Sequence, residues 1–396
     1  MNEPLTHYGT KDASNLMYGF HEIGNTKLKE LLDIYSAPKD RKTLRTWKMK
    51  EACDLIGRSE AYVRKLESSS PEYKAEIEGN ARYYTLSLIN RIRDKAGTRY
   101  KRPKGSKPVV LAVSNFKGGV AKSTTALHLA QKAAITGLRV LCVDLDPQAT
   151  FTLGFGYIPD IHLEAKDTIK SSLSESPNLI KEVIQKTYFD GIDIIPGNLS
   201  ISELDILLTN ASQDPSFIEK MGMPDTRLKT ALSLIKDHYD LIVLDCGPNL
   251  GMLTINAVTA ANALLVPIPP MMSDLGSFVT FTGTLGALFD SMDKNFDFFR
   301  ILLTKHPESK EAKNIEFLMR ESFGNYMLLN HCLMSVEIEK ASAIFGSVYE
   351  MNRSSLKPYK RAIESLNNVF DEILDAFKNI WTEQSKEIEL RNDNEC

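Results

Sequence analysis

Apolar and polar positions divide the chain into two kinds of territory. Between residues 109 and 304, short apolar runs, many of them β-branched, recur at Val109–Val113, Val140–Asp144, Ile192–Pro196, Leu241–Asp245, Ala263–Pro267 and Arg300–Thr304, with stretches of helical spacing between them. Runs this continuous suit strands buried on both faces. Their alternation with helices predicts an α/β fold, a parallel sheet with helices on both faces and its ligand at the carboxyl ends of the strands.

Ahead of residue 109 the pattern changes. Leu16, Met17, Phe20, Ile23, Leu28, Leu31, Leu32 and Tyr35 recur at helical spacing, interrupted by Gly24, and predict an N-terminal helical segment over 1–40. Its apolar stripe would pack on a second copy of the protein or back on its own domain. Thr46 to Glu67 reads as two short helices around Gly57. Ala52 and Leu55 face inward in the first; Ser59 caps the second, which turns Val63 and Leu66 inward and Glu60, Tyr62, Arg64 and Lys65 outward. Tyr73 to Thr85 alternates on both sides of Gly79-Asn80, a tight hairpin turn, and Leu86 to Ala96 closes the unit as a helix. The sum, over 41–98, is the pattern of a winged helix-turn-helix, although a plain αα-hairpin shares its first half. Ser59, Tyr62, Arg64 and Lys65 are the candidates for a DNA groove, and Arg82 of the hairpin for the backbone. At the other end, Ala362 to Leu390 predicts a long helix whose acidic outer face favours docking on its own domain over anionic lipid.

Charge sharpens the division. The formal net charge is only −3, yet residues 41–107 carry eighteen Lys/Arg against eight Asp/Glu, so the rest of the chain is acidic. Arg91 to Lys107 alone sets eight basic residues against Asp94, with Gly97, Pro103 and Gly105 as breakers. Residues 99–108 therefore read as a basic linker, either a solvated charge run or one in which Lys101 and Arg102 touch phosphate. No apolar run approaches the roughly 18–20 residues of a membrane span. The polar start lacks a signal-peptide core, and five scattered cysteines fit a reduced cytoplasm.

The chemistry concentrates in VVLAVSNFKGGVAKSTT, Val109 to Thr125. A strand, a loop with Gly118-Gly119 and a helix opening at Lys122-Ser123-Thr124 can aim successive N–H groups of Lys117, Gly118, Gly119, Val120 and Ala121 at an anion, aided by the positive helix end. Lys122 would reach the outer phosphates, and Ser123 Oγ would ligate Mg2+. Asp144 and Asp146, two apart at the end of the second strand, would lie on one side and share a metal and its water. Asp245, ending the apolar strand Leu241–Asp245, would hold Mg2+ through water.

K-G-G-V-A-K-S, then V-D-L-D-P-Q, then L-D-C-G-P departs from the standard phosphate loop, since Phe116 and Ala121 stand where glycines would. The set resembles the ParA/MinD group of ATPases. With the N-terminal module and the run T-I-N-A-V-T-A-A-N-A-L-L-V-P-I-P, it is similar over nearly the whole chain to the large plasmid-partition ParA proteins of the SopA kind. The resemblance implies an ATPase domain over 109–396 that turns ATP into ADP in a sandwich homodimer. In it Lys117 crosses to the other subunit's nucleotide, Lys122 holds the β/γ phosphates, Asp146 orients the attacking water, and Ser123 and Asp245 serve the Mg2+ with Asp144 behind them. It also implies a ParB-type centromere-binding partner, repression of the protein's own operator, nucleoid association, and nonspecific DNA binding through Lys340, with Lys357, Lys360 and Arg361 as further candidates. A MinD-like membrane-cycling ATPase and a repressor with vestigial hydrolysis are the rival readings. An iron–sulfur carrier would need paired cysteines that the sequence lacks.

Overall fold

A computed structural model describes residues 13–35, 42–159, 161–290, 292, 294–351 and 356–394, so 1–12 and 36–40 of the expected N-terminal segment and the first residue of the 41–98 unit lie outside it. The strands at its centre follow from runs apolar on both sides. β4 (Val109–Val113), β5 (Val140–Leu145), β7 (Ile192–Ile195), β8 (Leu241–Cys246), β9 (Ala263–Ile268) and β10 (Phe298–Leu303) occupy the six expected places. The sheet has the order β10-β9-β4-β8-β5-β7-β6, parallel except for the two-residue edge strand β6 (Gln185–Lys186). Alternation along each strand sends Val109, Leu111 and Val113 into one apolar cluster and Val110 and Ala112 into another on the opposite face. The first face is covered by α5 (Lys122–Ile135) and α15 (Lys357–Asn394), which supplies Phe370, Phe377 and Trp381, the last 0% exposed. The second is covered by α8 (Glu203–Ala211), α10 (Arg227–Ser233), α11 (Met252–Ala260) and α12 (Met272–Phe289). The short helices α6 (Thr150–Gly154), α7 (Lys170–Ser174) and α9 (Pro215–Met221) lie between them in sequence, and α13 (Lys310–Phe323) and α14 (Val336–Ala343) follow β10.

The N-terminal unit has its own small sheet, β1-β3-β2, from β1 (Trp47–Lys48), β2 (Glu76–Glu78) and β3 (Ala81–Tyr84). Gly79-Asn80 make the hairpin turn. α2 (Met49–Ile56) ends at Gly57, whose left-handed conformation (φ +70°) lets the chain turn into α3 (Glu60–Ser69). Ser59 Oγ accepts the Tyr62 N–H as the cap of α3. Val63 and Leu66 are buried as expected, and α4 (Leu86–Ala96) has the expected bounds. Ahead of this unit α1 (Ala13–Tyr35) runs unbroken through Gly24. Its Met17, Phe20 and Ile23 are about 60% exposed, while the side chains of Leu28, Leu31, Leu32 and Tyr35 lie outside those described.

Residues 99–108 are not a free tether. Arg99 Nε donates to Gly137 O at 2.8 Å, Tyr100 stacks on Trp381 with ring centroids 5.9 Å apart, and Arg102 Nε lies 3.6 Å from Asp240 Oδ1. Arg93, at the end of α4, donates to Leu55 O and Ile135 O and so pins the N-terminal unit to α5. One apolar cluster runs from Trp47 and Ile89 through α5 to Trp381. The basic composition concealed this seam because arginines that hold carbonyls and arginines that face solvent look alike in sequence.

Candidate functional site

β4 ends beneath the loop 114–121, and neighbouring elements hold that loop in shape. Asn115 Nδ2 donates to Pro267 O at 2.9 Å, and its Oδ1 accepts the Lys117 N–H at 3.1 Å. Phe116, where a standard phosphate loop has glycine, packs edge-on against Phe281 of α12 at 4.7 Å. Gly119 (φ +77°) and Ala121 (φ +70°) both take the left-handed conformation that turns the chain into α5. Lys122 opens α5 and is buried, with Nζ donating to Lys117 O at 2.9 Å. Burial pulls its pKa below the usual lysine value, and the Asp245 carboxylate pulls it back up.

The register sets Asp144 directly beside Asp245 on adjacent strands. Asp144 accepts the Asp146 N–H on Oδ1 (3.1 Å) and both the N–H and hydroxyl of Thr152 on Oδ2 (2.8 and 2.6 Å). This corrects the expectation that Asp144 and Asp146 share a metal: both Asp144 oxygens are committed to positioning α6 and the Asp146 backbone. Burial raises the Asp144 pKa to about 7. Asp245 is 0% exposed, and neither of its oxygens has a hydrogen-bond partner in the protein. Burial first, then the Asp144 charge, push its pKa far up, with Ser123 and Lys122 opposing. Leaving such a group unpaired costs about 1–3 kcal/mol or more, which a cation at this point would recover. Asp146 sits at the mouth of the same site, its Oδ1 accepting the Gln148 N–H at 2.9 Å. Among the described residues no three His, Cys, Asp or Glu side chains form a metal cage.

Sequence reasoning missed three contributors. Lys117 Nζ is held by Asp274 Oδ2 (3.0 Å) and Ser273 Oγ (2.9 Å) at the start of α12. Thr304 Oγ1 donates to Val120 O (2.9 Å) and Lys305 Nζ to Gly119 O (2.7 Å), clamping the loop from the end of β10. Beside them a cavity of about 300 Å³ is lined by Thr124, Thr125, Lys305, Cys332, Leu333 and Met334. A strand ending in Thr-Lys was the available signal for the clamp; the cavity joins segments too distant in sequence to leave one.

The DNA candidates scatter. Lys65 and Arg64 lie exposed on α3, Arg64 paired loosely with Glu60 at 3.5 Å. Ser59 is exposed and its hydroxyl caps α3, as read from the sequence, whereas Tyr62, expected outward, packs partly against the core of its unit. Arg82 pairs with the buried Glu67 (3.2 Å). Arg102 has a side chain only 12% exposed and bonded within the seam, which corrects its assignment to phosphate. Lys101 is open to solvent. Lys340 pairs with Glu337 at 2.8 Å on α14 but stays exposed, as do Lys357 and Lys360; Arg361 pairs with Glu308. No helix among the described residues is long and apolar enough to cross a membrane.

The comparisons with known proteins agree with this geometry. A protein-family model described as an AAA domain matches residues 109–298. Protein SopA of Escherichia coli is 34% identical over 352 residues, covering 86% of this chain and 90% of its own length. A solved structure of a partition protein shares the fold at 21% identity and TM-score 0.62, over 91% of this chain and 98% of that one. A cobyrinic acid a,c-diamide synthase from Mycobacterium smegmatis, solved with bound ADP and magnesium, matches at 24% identity and TM-score 0.51, over 61% of this chain and 91% of that one. A glycine loop clamped by Thr304 and Lys305 near a buried carboxyl group, together with 34% identity to SopA over 86% of the chain, makes this chain a member of the SopA-like family of ParA-type plasmid partition ATPases.

Proposed function

We propose that the chain hydrolyses ATP to ADP in a nucleotide-sandwich homodimer that segregates plasmid DNA. The observation that supports this most is Asp245, a buried carboxyl group without a well-formed hydrogen bond, side by side with Asp144 and facing Ser123 and Lys122 of the loop and α5. The residues fit a nucleotide with Mg2+: Ser123 and Asp245 would hold the metal, whose role is to neutralise charge on the phosphates. Lys122 places its ammonium at the phosphate end of the loop. Asp146, anchored through the Gln148 N–H and through its own N–H to Asp144, accepts a hydrogen bond from the attacking water and keeps it in line. The cavity beside Thr124 and Leu333 is the place this reading assigns to the base. Lys117 leaves Asp274 and completes the site of the other subunit, so one chain alone hydrolyses slowly.

In the same reading residues 41–98 are a winged helix-turn-helix that binds the protein's own operator as an autorepressor, and the ATP dimer holds nonspecific DNA through Lys340 and its neighbours. A ParB-type centromere-binding protein stimulates turnover, α1 adds a dimer contact through Met17, Phe20 and Ile23, and the protein works in the cytoplasm on the nucleoid. The full chain is tested by steady-state ATPase and light-scattering mass with ATP and Mg2+, with ADP, and without nucleotide, beside the Lys117→Ala variant. The expected result is an ATP-dependent dimer, with dimer and turnover both lost in the variant while nucleotide still binds. A wild-type monomer at full turnover overturns the proposal.

A further inference from the structure

The seam between the N-terminal unit and the ATPase domain encloses a charged cup of about 440 Å³ at the amino-terminal ends of β5 and β8, the end of the sheet away from the phosphate loop. Five cations line it, Arg99, Lys101, Arg102, Lys104 and Arg139, against two carboxylates, Asp94 and Asp240. Asp240 is shared by Arg139, which reaches it with Nη2 at 2.8 Å and Nε at 3.2 Å, and by Arg102 at 3.6 Å. Asp94 is shared by Arg99 at 3.0 Å and Lys101 at 4.0 Å. Lys104 has no carboxylate partner among the described residues. The cup thus gathers more positive charge than its own carboxylates neutralise, and crowding like charges in one concavity is unfavourable unless an anion relieves it.

The five do not have equal freedom. Arg99 and Arg102 hold the seam and are only 22% and 12% exposed, whereas Lys101 is 79% exposed, Arg139 50%, and Lys104 is open to solvent. These last three carry the available charge. They come from both sides of the seam, since Arg139 lies between α5 and β5. The cup also borders the turn between α2 and α3: Arg58 of that turn donates to Ala96 O at 2.9 Å, three residues before Arg99. Arg58 and Lys95 are both exposed and carry the basic surface from the turn toward the cup.

We propose that this cup is a binding site for the phosphates of duplex DNA flanking the stretch held by α3, so that DNA on the N-terminal unit is gripped by the ATPase domain as well. It rests on the DNA-binding reading of residues 41–98 and adds to it a contact made through Arg139, Lys101 and Lys104. One duplex bridging both units ties DNA occupancy to the position of α5, the helix that opens with Lys122.

Replacing Lys101 and Lys104 by glutamine tests the site without touching the seam. Binding of a fluorescent 40-base-pair duplex to the full chain with ATP and Mg2+ is followed as a function of KCl concentration. Each lost phosphate contact removes about 0.9 from the slope of log K against log salt, so the double variant should show a slope shallower by about 1.8 and an affinity roughly tenfold or more weaker near 0.15 M salt. The thermal midpoint should stay at the wild-type value. A slope and affinity equal to the wild type overturn the cup. Arg64→Gln with Lys65→Gln separates the two claims. If that pair flattens the slope and the Lys101/Lys104 pair does not, the α3 reading stands and the cup fails. If the wild type shows no salt-dependent DNA binding, the underlying reading fails with it.

Discussion

Two residues of the candidate site, Ala121 in the loop and Asp245 at the end of β8, sit in unfavourable states. Ala121 stands at φ +70° at the entry to α5, where glycine has no steric penalty. Left-handed backbone costs an L residue about 1–2 kcal/mol, and glycine gives back about 0.4–1 kcal/mol through unfolded-chain entropy, so Ala121→Gly should stabilise by roughly 0.5–1 kcal/mol. Chemical denaturation of both proteins checks it; a destabilised glycine variant would show that the alanine methyl has a packing role. Asp245 is the electrostatic counterpart, a carboxyl group buried beside Asp144 whose pKa burial and Asp144 push far up, with only Ser123 and Lys122 opposing. Asp245→Asn removes the repulsion and should raise the stability of the nucleotide-free protein by about 1–2 kcal/mol while lowering turnover by about a hundredfold or more. Calorimetry without nucleotide and steady-state kinetics with it measure the two effects. A variant no more stable than the wild type would mean that Asp245 stays protonated at neutral pH at no cost.

At the scale of elements, the loops after β10 show what local pattern conveys and what it does not. The six central strands, the capped helix α3, the Gly79-Asn80 turn and α4 were legible because each is specified by residues close in sequence: an apolar run, Ser59 ahead of a helix, a turn pair, a 3.6-residue period. β1 and β6, each two residues long, have too few positions to show a period. The clamp of Thr304 and Lys305 on the loop, the Asp274 partner of Lys117 and the cavity at Leu333 depend on contacts across more than 150 residues, which one sequence does not display. The His306 cluster is of the same kind. His306 follows the clamp, its side chain fully buried; it stacks on His331 at 4.3 Å, with Nδ1 accepting the Glu308 N–H and Nε2 3.1 Å from Glu316 Oε2. Arg320 holds Glu316 from its other side, and Lys313 adds positive charge. Burial and His331 keep the His306 pKa below the ordinary 6.5, with Glu316 opposing. A histidine with a depressed folded pKa contributes stability that is full above about 6.5 and lost as pH falls through the folded value. His306→Asn should therefore lose less thermal stability than the wild type between pH 7 and 5. Parallel melting curves at the two pH values decide it, and an equal or larger loss in the variant would remove His306 from the account.

For the whole molecule, the proposed sandwich dimer requires a restraint on the single chain, and the contact that Lys117 makes would supply it. Its side chain is 35% exposed and its ammonium is tied to Asp274, whose side chain in the first turn of α12 is 4% exposed, with Ser273 as second acceptor. If Lys117 is to serve a partner's nucleotide, this bond must open first. The exchange replaces one charged partner by another, so its net cost is a charge-assisted hydrogen bond of about 1.5–3 kcal/mol set against the new contact to phosphate. In the proposed dimer that difference would work as a threshold, since triphosphate in both subunits would offer Lys117 more negative charge than diphosphate. Asp274→Asn keeps the shape and the hydrogen bond to Ser273 but removes the competing charge. The variant should dimerise at lower ATP concentration and show basal turnover about two- to tenfold above the wild type, because a shift of 0.4–1.4 kcal/mol in the exchange is a factor of that size. Sedimentation across an ATP titration, with steady-state ATPase on the same samples, reads both. If Asp274→Asn instead dimerises less and hydrolyses more slowly, Asp274 belongs to the active dimer, and the contact seen in the single chain is a rest position with no restraining role.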